Sequence, residues 1–167
     1  MKVVVTGPES TGKSTLSEAI AKHFNIDYVP EYSRDYLLAR DGKYAESDLL
    51  EIAKGQIELE DKFEGNKLLM VCDTSLEVIR VWSEWKYNHC DHFILEQARS
   101  RIPDLFLLLK PDLPWQPDPL RENPDDRDVL FAYYQKTLSE YKTKVVEIGG
   151  ESESRINLAI NAIDSFS

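Results

Sequence analysis

Gly7-Pro8-Glu9-Ser10-Thr11-Gly12-Lys13-Ser14 fits the pattern G-x-x-x-x-G-K-[ST], a phosphate-binding loop. The apolar run Val3-Val4-Val5 precedes it and a helical pattern follows, with Leu16, Ala19, Ile20, His23 and Phe24 on one face. A strand therefore delivers the loop, and a helix points its N-terminus into it. In that setting successive backbone N–H groups wrap phosphate oxygens and the helix dipole adds to their pull on negative charge. Gly7 and Gly12 allow the tight path, Lys13 can reach the β- and γ-phosphates, and the Ser14 hydroxyl is the expected Mg²⁺ ligand. His23 reads as a helix-face residue rather than a catalyst.

Working outward, helix patterns alternate with short apolar runs, expected as strands at Lys2–Thr6, Asp27–Pro30, Lys67–Cys72, Leu105–Leu109 and Lys144–Ile148. Runs that are apolar throughout, rather than alternating, belong to a parallel sheet buried on both faces. The expected fold is α/β, a five-stranded parallel sheet with helices on both sides. Further helices are expected over Tyr32–Ala39, stopped at Asp41-Gly42, and from Ser47 with Leu49, Ile52, Ala53 and Ile57 inward. A last helix carries the stripe Ile156, Ala159, Ile160 and Ile163. The 167 residues suit one domain, 1–167.

A net charge of −10 argues against polymeric nucleic acid, for lack of a basic surplus to displace counterions, but not against a nucleotide. Cys72 and Cys90 lack metal-ligand spacing, and Cys72 lies in an apolar run, which suits a reducing cytoplasm. The first strand is expected to begin at the second residue, arguing against a cleavable signal sequence. The run Leu105–Leu109 is too short to cross a bilayer.

The stretch from Lys110 to Arg127 breaks the pattern with five prolines, which exclude a regular strand or helix through most of it. It reads either as a solvated loop or as a lid over roughly 111–127. Its place after the fourth expected strand, at the edge where parallel-sheet enzymes bind ligands, and its Arg121 and Arg127 favour the lid. Asp73, directly after an apolar run, suits either Mg²⁺ and a reacting hydroxyl or the cap of a helix starting near Ser75. Glu31 suits ribose hydroxyls, Tyr32 a flat ring, and Arg34 a phosphate or Glu31; a helix first turn would also favour an acid at position 31. Val78, Trp82 and Trp85 share a helical stripe, with Trp82 read as core and Trp85 as a stacking candidate.

The loop with Thr15 and Leu16, then Glu31-Tyr32-Ser33-Arg34-Asp35-Tyr36-Leu37, Asp73-Thr74, Leu107 to Lys110 and Asp118-Pro119-Leu120-Arg121 resembles the ribosylnicotinamide kinase domain of the bacterial NadR family. The resemblance runs from residue 1 to about 165. The adenylyltransferase often joined to that domain is not expected here. It implies that Gly7, Glu9, Ser10, Thr11, Gly12, Lys13, Ser14 and Thr15 hold ATP. It also implies that Glu31 and Asp73 face the nucleoside, that Asp73 lies near Mg²⁺, and that Arg121 and Arg127 fold over the transferring phosphate. Gly149-Gly150 would pass along the adenine. Pro30 stands where family members tend to carry an aromatic residue, so Tyr32 or Trp85 would supply ring stacking. The activity implied is phosphorylation of nicotinamide riboside at its 5′-hydroxyl, with no membrane partner. A kinase for another nucleoside or nucleotide stays open, as does an ATPase or switch acting on a protein partner. The chain lacks the Asn-Lys-x-Asp guanine motif, since Asn66-Lys67 is followed by Leu68-Leu69, and it is short for an added helical domain.

Overall fold

The computed structural model describes residues 1–63 and 68–166. In chain order the elements are β1 (Lys2–Thr6), α1 (Lys13–Phe24), α2 (Tyr32–Leu38), α3 (Glu46–Phe63), β2 (Met70–Asp73), α4 (Leu76–Tyr87), α5 (His92–Ser100), β3 (Leu105–Leu109), α6 (Arg127–Ser139), β4 (Lys144–Ile148) and α7 (Ser152–Asp164). The strands form one parallel sheet in the order β2-β1-β3-β4.

Among the described residues the sheet has four strands, not five. Of the run Asp27–Pro30 only Val29 pairs, in a single parallel bridge to Cys72, with Val29 N–H donating to Val71 at 2.8 Å and Asp73 N–H donating to Val29 at 2.8 Å. Pro30 has no N–H with which to extend the ladder. The expected strand Lys67–Cys72 is observed as Met70–Asp73, and Lys67 lies outside the described residues. The helix expected from Ser47 begins one residue earlier, where Ala45 N–H donates to the Asp48 carboxylate at 2.8 Å.

The apolar runs are buried as their composition requires. One face of the sheet presents Val4, Cys72, Phe106 and Leu108 to a core completed by α3, α4, α5 and α6. The other presents Val3, Val5, Val71, Leu105, Leu107 and Leu109 to α1 and α7. In α7 the inward residues are Arg155, Ala159, Ala162 and Ile163, while Ile156 and Ile160 are half-buried. Among the described residues no helix is long and apolar enough to cross a membrane.

Because β2 and β3 flank β1, successive connections leave the sheet in opposite directions between β1 and β3. A crevice opens at that point outside the carboxyl ends of parallel strands. The phosphate-binding loop follows β1 and the proline-rich segment follows β3, so the topology brings the two together.

Candidate active site

The loop between β1 and α1 is shaped by its glycines. Gly7 has φ +133°, and a Cβ there would lie 2.7 Å from the Leu109 carbonyl oxygen, so only glycine lets the loop pass the end of β3. Gly12, at φ 82°, stands at the N-cap of α1. Thr11 Oγ1 braces the loop by donating to the Pro8 carbonyl at 2.8 Å, and Lys13 Nζ donates to the carbonyls of Gly7 and Pro8 at 3.0 and 2.9 Å. The ammonium group is thus held within the ring of the loop, at the mouth of a cavity of about 800 Å³. Gly7, Glu9, Ser10, Thr11, Gly12, Lys13, Ser14 and Thr15 all line that cavity.

Asp73 closes β2 and is 3% exposed. It does not cap the next helix: Ser75 occupies the N-cap, and its hydroxyl donates to Glu60 at 2.6 Å. Burial pushes Asp73 up to about 6, opposed by the Ser14 hydroxyl beside it, and its Oδ1 is buried without a hydrogen-bond partner. A buried carboxylate oxygen left unpaired is costly unless something else meets it. The pair Ser14 and Asp73 fits Mg²⁺, which usually takes one or two protein oxygens and completes its shell with phosphates and water. Among the described residues no cluster of three or more His, Cys, Asp or Glu would hold a metal unaided.

On the acceptor side Glu31 lines the cavity, with the Ser33 hydroxyl donating to it at 2.5 Å. Arg34 reaches neither a phosphate seat nor Glu31 but pairs with Asp118 of the proline-rich segment at 2.9 Å. Tyr32 is not among the cavity-lining residues. Its ring lies on Gly55 of α3, where a Cβ would come within 2.1 Å of it. The aromatic wall comes from Tyr44, Trp82 and Trp85 instead. Trp82 is half-buried at this wall rather than within the core, and its indole N–H donates to the Tyr44 hydroxyl at 2.9 Å. Trp85 donates to Asn123 Oδ1 at 3.3 Å and packs edge-on against Tyr133.

The proline-rich segment covers the cavity with Leu113, Pro114, Gln116, Asp118 and the run Leu120 to Asn123. Arg121 donates to the Ser10 hydroxyl at 3.4 Å and to the Gln116 carbonyl. Arg127 donates to the carbonyls of Leu113 at 2.9 Å and Ser10 at 3.4 Å, which sets it against the loop but outside the cavity lining. Trp115 lies under both guanidinium groups, 5.9 and 5.8 Å from ring centre to carbon.

Sequence reasoning missed Arg155. It is buried in α7, lines the cavity, and donates to the carbonyls of Thr11 at 2.6 Å, Gly150 at 2.8 Å and Lys110 at 3.0 Å, besides pairing with Asp112. Gly149 and Gly150 stand behind this arginine and are not among the lining residues; Gly150 N–H donates to Asp112 at 2.7 Å. The arrangement provides a phosphate seat, a carboxylate beside a hydroxyl, an aromatic pocket and two arginines above the loop. Those groups suit phosphoryl transfer to a hydroxyl on a flat-ringed small molecule.

A family model described as an AAA domain, AAA_28, matches residues 2–155. Over 127 residues the chain is 32% identical to the trifunctional NAD biosynthesis/regulator protein NadR of Salmonella typhimurium and equally to that of Escherichia coli. Each match takes in 71% of this chain and 30% of the relative, so the chain corresponds to under a third of those proteins. A solved NadR protein in complex with NR superimposes with TM-score 0.80 at 23% identity, over 99% of this chain and 50% of the other. A NadR protein in complex with NAD and AMP-PNP gives 0.77 at 24%, over 99% and 49%. Deoxyadenosine kinase from M. mycoides with bound dCTP gives 0.64 at 14%, over 99% and 100%. The structural likenesses establish the fold.

Proposed function

The chain belongs to the AAA_28 family of AAA domains, and from that membership and its cavity we propose an ATP- and Mg²⁺-dependent kinase that phosphorylates the 5′-hydroxyl of nicotinamide riboside, giving nicotinamide mononucleotide in NAD salvage. One observation carries the reading: a buried carboxylate, Asp73, with an unpartnered oxygen stands beside Ser14 at the phosphate-binding loop. Similarity to NadR supplies the acceptor.

In this reading the backbone of Gly7 to Thr15 and the ammonium of Lys13 bind the triphosphate, and Ser14 and Asp73 hold Mg²⁺. Held there, Mg²⁺ would supply positive charge against the negative charge that develops during transfer. Asp73 orients the 5′-hydroxyl and accepts its proton, and Glu31 accepts from ribose hydroxyls. Trp85, with Trp82 and Tyr44, packs on the base ring, a role that Tyr32, turned onto Gly55, does not share. Arg121 stabilises the transferring phosphoryl group from above, and Arg127 braces the lid. The proposed setting is the cytoplasm, where ATP is available and the free thiols of Cys72 and Cys90 persist.

The test is ATP consumption by the purified chain with and without a panel of nucleosides and nucleotides, the phosphorylated product being identified by mass spectrometry. Transfer to nicotinamide riboside in preference to the others is expected. Preference for another acceptor would change the substrate while leaving the reaction, and acceptor-independent hydrolysis alone would point to an ATPase.

A further inference from the structure

We infer that Glu9, a side chain the loop does not need for binding phosphate, is the positioning residue that latches the lid and so fixes the transferring group against the acceptor. The inference rests on the kinase reading for its consequences, but its geometry stands apart from any substrate.

The Glu9 carboxylate, at the cavity lining, meets the backbone of the lid. Oε2 accepts the backbone N–H of Glu122 at 3.0 Å and of Asn123 at 2.9 Å, and Oε1 lies 3.3 Å from the Glu122 nitrogen. Hydrogen bonds to an ionised acceptor are worth roughly twice neutral ones. The next loop residue does the same: Ser10, held at φ 58°, accepts from Gln116 N–H at 2.8 Å. The side chains of two consecutive residues of the phosphate-binding loop thus accept from the lid's backbone, while their own backbone remains with the loop.

What Glu9 holds is the spine of a tripeptide whose side chains diverge. Arg121 points back to the Ser10 hydroxyl, on the donor side. The Glu122 carboxylate accepts from Lys86 at 2.8 and 2.9 Å and from the Tyr44 hydroxyl at 2.9 Å. Asn123 accepts from Trp85. Two backbone amides pinned by one carboxylate therefore set the distance between the arginine over the phosphate and the aromatic wall of the acceptor pocket. A loop with five prolines and no fully buried residue from 111 to 127 needs such an external register. Released, the lid would admit water to a loaded phosphate, and the γ-phosphoryl group would pass to water, giving ADP and inorganic phosphate, as well as to the acceptor hydroxyl.

The experiment compares wild type, Glu9→Gln and Glu9→Ala, each checked by thermal melt. Residue-resolved hydrogen exchange at Glu122 and Asn123 reads the latch directly. Exchange should quicken by about tenfold or more in Glu9→Ala and by less in Glu9→Gln, which keeps one acceptor. With ATP and acceptor, kcat for transfer should fall while KM for ATP changes little, and ADP formed per acceptor phosphorylated should rise above one. Unchanged protection of both amides would overturn the latch whatever the enzyme phosphorylates. Lost protection with unchanged kcat and unchanged coupling would overturn its positioning role. Failure of wild type to phosphorylate any nucleoside would sink the functional reading alone, since the exchange comparison needs no acceptor.

Discussion

At the scale of single residues, the proposed reaction rests most on Asp73. Burial raises its carboxyl to about 6, so it loses its negative charge as the pH falls through that value. The free enzyme's kcat/KM should accordingly decline below about pH 6, with an acidic limb belonging to this group. Asp73→Asn keeps the shape and removes both charge and basicity; kcat should fall by about 10²–10⁴-fold, ATP affinity should change less, and the limb should vanish. A variant that keeps the limb would assign it elsewhere. The place of Asp73 at the cavity was legible because an acid directly after an apolar run stands out. Arg155 was not: it sits among the aliphatic residues of the last helix, and its partners at Thr11 and Lys110 are 144 and 45 positions away. Tyr44 was hidden for the same reason, reached through a connection that has no spacing rule. Arg155→Met would leave three carbonyls without their donor and should cost roughly 3 kcal/mol in urea unfolding, whereas Arg155→Lys should cost less. Equal stability of the methionine variant would make the hub ornamental.

Among the elements, the lid is the one whose irregularity was readable and whose contacts were not. Five prolines ruled out helix and strand, but proline content says nothing of which side chains a loop meets. Arg127 stands among Asp125, Asp126 and Asp128 in sequence, yet it donates to the carbonyls of Leu113 and Ser10. The expected strand Asp27–Pro30 failed for a converse reason. Its apolar content was read correctly, yet a run ending in Pro30 can offer only Val29 to the ladder. The phosphate-binding loop succeeded because its conformation depends on residues within the motif itself. For the lid, the geometry separates the two arginines. Arg121→Ala should lower kcat by roughly 10³-fold if it acts on the transition state, with little change in melting temperature. Arg127→Ala should lower kcat less and loosen the lid, visible as faster exchange near Leu113. Steady-state kinetics with the acceptor saturating separate these outcomes, and wild-type kcat in both would reduce the segment to a surface excursion.

For the molecule as a whole, an acidic chain of net charge −10 nonetheless lines its cavity with Lys13, Arg34, Arg121 and Arg155. It also buries acids away from them. Glu77, in the first turn of α4, is 3% exposed, and its Oε1 has no hydrogen-bond partner. Burial raises its carboxyl from 4.5 to about 7. Between those values the folded state holds a proton that the unfolded chain has released, so folding stability falls as pH rises through the interval. By about pH 8 the buried charge should cost on the order of 3 kcal/mol. Glu77→Gln preserves the shape and cannot ionise, so its stability should exceed that of wild type increasingly from pH 5 to 8. Asp73, raised in the same direction, is present in both proteins and cancels from their difference, as does general repulsion among the surface acids. Urea unfolding at a series of pH values measures that difference. Parallel curves would mean that Glu77 finds a partner for its charge in solution, and the growing gap would identify it as a stability cost the fold carries at neutral pH.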